Sequence, residues 1–372
     1  MRIQFKSVLL VLFFVSYISS SYQEVYLPSP NPRLLKAYEA LQAWKHAIIS
    51  DPKNVTSNWY GPDVCKYKGV FCAKAPDDPH VTTVAGIDLN HAKISGYLPE
   101  ALGLLCDLSF FHINTNHFCG TIPESFKNFR LLNELDVSNN NLTGLFPQVV
   151  LHLPKLKYLD IRFNGYHGDI PTKLWGLKLD AIFVNSNKFQ FRLPSNIGSS
   201  PASVLVMANT NLSGCFPASI AKLGSSIEEI ILSNSGLTGC LPPEIGKLTS
   251  LTVFDVSSNK LVGSLPETIG NMKKLEILNV AKNKLSGEIP ASICSLKKLK
   301  KFRFSNNYFC SEPEICLKSP KKISDKKNCI PYRPYQRSAM ECEAFLSHPI
   351  SCEATGCAAV RSPSPPPSLP PH

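Results

Sequence analysis

Hydrophobic and polar positions follow one pattern that recurs from Val84 to Cys310. A representative copy runs from Leu275 to Pro290 and has the form LxxLxLxxNxLxGxxP. Its final position recurs at intervals of 23 to 25 residues, at Pro99, Pro123, Pro147, Pro171, Pro194, Pro217, Pro242, Pro266 and Pro290. A fixed period of this length predicts a solenoid, a stack of short coils that each contribute one strand and one return segment.

Each coil also has a predicted corner. The LxxLxL portion predicts a strand with one buried and one outward face, and the Asn that follows it predicts a hydrogen-bonded turn. This Asn is found in seven coils, at Asn116, Asn140, Asn164, Asn187, Asn259, Asn283 and Asn307. Ala92, Thr210 and Ser235 replace it in three others, where we expect an imperfect ladder.

The pattern therefore predicts an α/β solenoid of leucine-rich repeats of the LxGxxP type, with about ten repeats and disulfide-bonded caps. The tenth coil begins at Leu299 and is expected to lack its proline. We place a signal peptide at residues 1–21, a cap at 22–83, the solenoid at 84–310, a Cys-rich cap at 311–357 and a Pro-rich tail at 358–372.

The amino-terminal segment has the features of a secretory signal. Arg2 and Lys6 precede an apolar run from Val8 to Ile18 that is too short to span a bilayer. No other candidate span is present, so we expect a secreted, extracellular chain without a membrane span. An amphipathic helix from Pro32 to Ile49 and a Cys65–Cys72 disulfide are then expected to cover the first coil.

The thirteen cysteines are interpreted mainly as disulfides, because a secreted protein is in an oxidising compartment. Cys215 and Cys240 occupy the same position in adjacent coils, which predicts a Cys215–Cys240 bond. A Cys106–Cys119 bond is a weaker expectation. The remaining connectivity stays open for Cys294, Cys310, Cys316, Cys329, Cys342, Cys352 and Cys357. The odd number leaves at least one cysteine either free or bonded to a second chain.

Positive charge is concentrated near the end of the repeats. Between Lys297 and Arg333 there are 11 basic and 3 acidic residues, a net charge of +8. In a secreted protein the natural polyanion is an acidic polysaccharide rather than nucleic acid. The alternative is a solvated surface that only aids solubility.

The outward strand residues predict the binding site. Acidic residues cluster in coils three and four, and apolar residues in coils five to seven. An exposed apolar patch of this kind usually marks an interaction site, which predicts a concave face that binds a polypeptide with apolar and cationic side chains. The predicted contacts are Phe110, His112, Glu134, Asp136, Tyr158, Asp160, Phe183, Val204, Val206, Ile231 and Asp255, with Phe163 as a further aromatic anchor. The alternative is that a loop or a second copy covers this face.

Catalysis is the less favoured interpretation of the same surface. His112, Asp136 and Asp160 are expected to be neighbours, but solenoid faces offer no deep dry pocket. The sequence contains no GxSxG, HExxH or phosphate-loop motif. We therefore expect no enzyme, no cofactor and no metal site. Three sequons predict N-glycosylation at Asn54, Asn141 and Asn211, away from the strand face.

Several longer motifs carry a specific resemblance. The segment from Trp59 to Cys72 resembles the amino-terminal cap of plant extracellular leucine-rich repeat proteins. The runs Asp180–Asn187, Gly239–Gly246, Arg333–Ser338 and Glu341–Phe345 resemble the leucine-rich repeat extensins of plant cell walls. The resemblance covers about residues 32 to 357. It implies a cell-wall scaffold or sensor that binds basic, cysteine-containing signalling peptides, the rapid alkalinisation factors, and that can form disulfide-linked dimers.

Two departures and two rival functions accompany this resemblance. Extensin tails repeat Ser-Pro-Pro-Pro many times, often with tyrosines, whereas Ser362 to His372 contains the motif once and has no tyrosine. The alternative attachment to the wall is through the basic Lys297–Arg333 region on pectin. A rival interpretation is an inhibitor of a wall-degrading enzyme, similar to the polygalacturonase-inhibiting proteins, which lack the Cys310–Cys357 region. The other is a purely structural wall glycoprotein, which the short tail disfavours.

Overall fold

The computed structural model describes residues 31–224, 226–318, 322–348, 350–352 and 357. The repeats form a solenoid, as the period predicts. Each coil contributes a strand to a long sheet, turns a corner, adds a strand to a second sheet and returns through a helical segment. The predicted signal peptide and Pro-rich tail lie outside the described residues.

The long sheet has twelve strands, and its order follows the chain from one end of the solenoid to the other. Strands are numbered in chain order, and those of the long sheet are β2 (Val70–Ala75), β3 (Asp78–Asp88), β5 (Phe110–His112), β7 (Glu134–Asp136), β9 (Tyr158–Asp160), β11 (Ala181–Phe183), β13 (Val204–Val206), β15 (Glu229–Ile231), β17 (Val253–Asp255), β19 (Ile277–Asn279), β21 (Lys301–Arg303) and β23 (Lys322–Ser324). All neighbours are parallel except β2 and β3, which pair antiparallel. We call its outward surface the strand face.

The second sheet lies past the corner and is divided in two. Seven strands precede the break: β1 (Ile48–Ser50), β4 (Ser95–Tyr97), β6 (His117–Gly120), β8 (Asn141–Gly144), β10 (Gly165–Gly168), β12 (Lys188–Arg192) and β14 (Asn211–Ser213). Four follow it: β16 (Thr238–Gly239), β18 (Lys260–Gly263), β20 (Lys284–Glu288) and β22 (Tyr308–Ser311).

The return segments are mostly 3-10 helices rather than α-helices. They are Glu100–Leu104, Glu124–Asn128, Gln148–His152, Thr172–Gly176, Ile197–Ser199, Ala218–Leu223, Pro243–Lys247 and Glu267–Asn271. The last two coils instead have short α-helices, α2 (Ala291–Cys294) and α3 (Glu314–Leu317). Pro313 caps α3 just as Pro290 caps α2, so the tenth coil does have a proline and our expectation for it was wrong.

The Asn ladder forms the corners. Asn259 is buried; its Nδ2 donates to the carbonyls of Leu232 and Val256, and its Oδ1 accepts from the amides of Ser235 and Leu237. Backbone groups that turn away from a strand need such partners, since an unpaired buried group is costly. Thr210 and Ser235 each donate a hydroxyl to the Met207 carbonyl and so replace only part of the Asn set.

Aromatic residues of the amino-terminal cap close the first coil. Helix α1 (Pro32–Ala47) begins after Asn31, whose side chain caps it, and buries Trp44 against Trp59, Phe111 and Phe118. The Cys65–Cys72 disulfide is present, as expected. No helix in the described ranges has the length and apolarity that crossing a bilayer requires.

The carboxyl-terminal cap continues the solenoid beyond residue 310. Strand β23 extends the long sheet, and the buried Asn328 donates to the carbonyls of Phe304 and Asp325, as an eleventh ladder residue would. Helix α4 (Ala339–Leu346) follows, and its Phe345 ring stacks on Tyr308. The cap is therefore built partly from an incomplete coil.

The disulfides correct two predictions and assign partners to ten of the thirteen cysteines. Cys215 bonds to Cys357 and Cys240 to Cys352, so the predicted Cys215–Cys240 bond is wrong. The carboxyl-terminal segment returns along the solenoid and takes both partners, which local spacing cannot reveal. Adjacent coils are joined instead by Cys294–Cys316, and the cap contains Cys329–Cys342. The weaker Cys106–Cys119 expectation is also wrong, because Cys106 follows a return segment whereas Cys119 is in β6.

Candidate peptide-binding face

The strand face presents two straight rows of side chains, because neighbouring strands pair without slippage from β3 to β23. One row is Gly86, Phe110, Glu134, Tyr158, Ala181, Val204, Glu229, Val253, Ile277, Lys301 and Lys322. The other is Asp88, His112, Asp136, Asp160, Phe183, Val206, Ile231, Asp255, Asn279, Arg303 and Ser324. All predicted contact residues except Phe163 stand in these rows.

An aromatic group begins the face at its amino-terminal end. The Phe110 ring lies 5.6 Å from that of Phe71 and 5.1 Å from that of His112, measured between centroids. His112 Nε2 lies 3.0 Å from Glu134 Oε2, so the imidazole and the carboxylate are paired. Half of the Glu134 side chain remains exposed, which leaves carboxylate surface for a partner.

Asp136 and Asp160 are neighbours on β7 and β9, but their environments differ. Asp136 is half-buried, and its Oδ1 accepts hydrogen bonds from the amide and hydroxyl of Ser138. Asp160 is fully buried, with its Oδ2 3.0 Å from Nε of Arg162. Asp160 therefore already has a cationic partner and is not free to meet one from a ligand, contrary to our expectation.

Burial changes the pKa values of two side chains on β9. It raises the pKa of Asp160 to about 7, and the negative charge of Asp136 adds to the rise, while Arg162 opposes it. Burial likewise raises the pKa of Tyr158, whose hydroxyl donates to Asp160 Oδ2 at 3.3 Å. The buried carboxyl is thus easily neutralised, whereas the accessible negative charge is that of Glu134 and Asp136.

Aromatic and cationic groups continue the face beyond the acidic strands. The Phe183 ring lies 5.5 Å from that of Tyr158, and the Arg162 guanidinium carbon lies 5.1 Å from the Phe183 centroid. Phe163 is half-exposed at the corner, with a φ of 51°. The same left-handed conformation occurs at the equivalent corner position of other coils, for example at Thr115, Asn139 and Ser186, so it belongs to the repeat.

The apolar part is less exposed than we expected. Phe183, Val204 and Ile231 are half-buried, and Val206 is buried with 9% of its surface accessible. Val206 stands between Phe183 and Ile231, its register partners on the neighbouring strands. Asp255 lies two strands beyond Val206 and accepts from Ser257 and Asn279, so it is separate from the acidic pair.

Two residues of the face escaped the sequence analysis. Arg162 follows the outward Asp160 by two positions and therefore points to the same side of the chain, a signal that could have been used. Phe71 is half-exposed on β2 and joins the face only because the β2–β3 hairpin continues the sheet antiparallel. In the described part of the chain, no three His, Cys, Asp or Glu side chains are grouped to hold a metal ion.

The three sequons are all solvent-exposed at their Asn residues. Asn141 and Asn211 are in β8 and β14 of the second sheet, so glycans there would leave the strand face open. Cys106, Cys119 and Cys310 are free thiols among the described residues, and the first two are exposed.

Comparison with known proteins identifies the family. Models described as leucine rich repeat match residues 111–165, 130–189, 250–272 and 274–296, and one described as the leucine rich repeat N-terminal domain matches 36–73. Leucine-rich repeat extensin-like protein 6 of Arabidopsis thaliana is 62% identical over 331 residues, which is 89% of this chain and 70% of the relative. The chain belongs to the leucine-rich repeat extensin-like family. Leucine-rich repeat extensin-like protein 4 of Arabidopsis thaliana is 64% identical over an alignment that covers 90% of this chain and 68% of that relative.

Solved structures with this fold include plant receptors. The Arabidopsis receptor kinase HAESA, in complex with the peptide hormone IDA and the co-receptor SERK1, aligns with a TM-score of 0.67 and 28% identity. That alignment covers 74% of the extensin-like chain and 46% of the receptor chain. The plant peptide hormone receptor RGFR1 in complex with RGF2 aligns with a TM-score of 0.60 and 26% identity. That alignment covers 63% of the extensin-like chain and 38% of the receptor chain. The chain spans less than half the length of these receptor chains.

Proposed function

We propose that this extensin-like protein is an extracellular cell-wall scaffold that binds a basic, cysteine-containing signalling peptide on its strand face. The rapid alkalinisation factors are the class of peptide that the family resemblance implies. The observation that carries the proposal is the contiguity of accessible acidic groups on Glu134 and Asp136 with the aromatic rings of Tyr158 and Phe183. Such a surface offers both charge complementarity and aromatic anchors to a cationic peptide.

The solved structures support the same use of this fold. HAESA and RGFR1 are both described in complex with peptide partners, and both resemble this chain over most of the solenoid. The disulfides indicate an oxidising, extracellular compartment. The face is accessible to a ligand, because every long-sheet strand from β5 to β15 has at least one half-buried or exposed side chain in the two rows.

Charge reversal on the face tests the proposal. We expect the secreted full-length chain to bind a basic, cysteine-containing peptide with its disulfides formed, as measured by titration calorimetry. The double variant Glu134→Lys with Asp136→Lys should weaken this binding by about tenfold or more. The matched control, Asp169→Lys with Glu288→Lys, makes the same charge change at exposed positions off the strand face and should have little effect. Equal losses in both variants would contradict a local site. Inhibition of a polygalacturonase without any peptide binding would favour the inhibitor interpretation instead.

A further inference from the structure

The carboxyl-terminal end of the strand face is cationic. Lys301 and Lys322 are register partners on β21 and β23, and Arg303 lies two residues along β21 on the same face. Partners on neighbouring strands are about 5 Å apart. Arg303 and Lys322 are exposed and Lys301 is half-buried, so the three side chains form one accessible group, which we call the basic triad.

Three basic residues near the triad each have an acidic partner. Lys300 is paired with Glu276, Lys318 with Glu314, and Arg333 with Asp325. Among the described residues, none of the triad side chains has an ion pair or a side-chain hydrogen bond. The high charge between Lys297 and Arg333 is therefore partly neutralised, and its uncompensated part on the strand face is concentrated at β21 and β23.

We propose that the basic triad binds an acidic polysaccharide, a linear chain of uronic acid residues. This inference goes beyond peptide binding and does not depend on it. Lysine and arginine on an open sheet can each meet one carboxylate, and cations spaced along adjacent strands suit a polymer that carries a carboxylate on each sugar. A basic peptide is excluded here by like charge, which separates the two ligands along one face.

The separation of charge has a geometric consequence. Seven strand spacings divide β7, which bears Glu134 and Asp136, from β21, which bears Lys301. At about 4.8 Å per spacing, the acidic and basic regions are roughly 34 Å apart along the sheet. One chain can therefore hold a basic peptide and an acidic polysaccharide at the same time, and so attach the peptide to the polymer.

Binding of a galacturonate oligomer to the secreted full-length chain tests the site. We expect Lys301→Gln, Arg303→Gln and Lys322→Gln together to weaken binding by about tenfold or more, since three ion contacts are lost. The matched control is Lys188→Gln, Lys260→Gln and Lys284→Gln, which removes three exposed lysines from the second sheet. Binding should also weaken with added salt and with methyl esterification of the oligomer, because both reduce the charge attraction.

Several results would overturn the proposal. Absence of binding by the unaltered chain, or equal losses in the triad and control variants, would show that the triad is not a site. Binding of an oligoglutamate of equal charge as tightly as the galacturonate oligomer would reject a polysaccharide ligand. Thermal unfolding of each variant verifies folding, and retention of peptide binding by the triad variant shows that the two sites are independent. Loss of peptide binding in that variant would refute this independence.

Discussion

At the scale of single residues, Asp160 shows how burial changes the role of a side chain. Its position in the repeat predicts an outward carboxylate, and its row does place it on the strand face. Its neighbours nevertheless bury it and pair it with Arg162. Sequence periodicity gives the direction in which a side chain leaves the strand. It does not give how far the adjacent side chains close over it.

Titration of Asp160 gives a prediction for stability. The folded-state pKa is raised to about 7, above its ordinary value of 3.8, so the folded chain holds this proton where the unfolded chain has released it. The contribution of Asp160 to stability is therefore complete below pH 4 or so and is lost as the pH rises towards 7. We expect Asp160→Asn to flatten this part of the stability profile, measured as thermal unfolding temperature against pH. Asp169→Asn, at an exposed position, should leave the profile unchanged; an unchanged profile in Asp160→Asn would contradict the assignment.

At the scale of elements, the coil and its corner follow directly from the sequence. The leucine positions, the Asn ladder and the prolines predict the strand, corner and return segment, since each needs only near neighbours. The disulfides of Cys215 and Cys240 were not predictable in this way. Their partners Cys357 and Cys352 lie 142 and 112 residues away in the chain, and only the path of the carboxyl-terminal segment brings them together.

The Asn ladder gives a prediction at this scale. Asn259→Ala removes hydrogen bonds to five backbone groups of two coils, and we expect a loss of about 2–4 kcal/mol in the free energy of unfolding. Thr210→Val removes one bond to the Met207 carbonyl and should cost about 1 kcal/mol. Chemical unfolding of both variants measures the difference. An equal cost at the two corners would contradict the role assigned to the Asn side chain.

At the scale of the whole molecule, the strand face is polarised from acidic to basic. Sequence analysis predicted the two charged regions separately, the acidic one on the concave face and the basic one in the Lys297–Arg333 segment. The structure places both regions on one sheet, because strand β23 extends the long sheet and sets Lys322 in register with Lys301. That extension depends on an eleventh, incomplete coil, whose Asp325 interrupts the apolar pattern and conceals it from a search for leucines.

Oxidative footprinting tests the central claim, that the strand face from β7 to β15 receives the peptide. Tyr158, Phe163 and Phe183 are aromatic reporters on or beside that face, whereas the exposed Tyr97 is in the second sheet and the exposed Tyr332 is in the carboxyl-terminal cap. With a saturating basic peptide, we expect oxidation of Tyr158, Phe163 and Phe183 to fall, and oxidation of Tyr97 and Tyr332 to stay constant. Protection of Tyr97 or Tyr332 with an unprotected strand face would contradict the account.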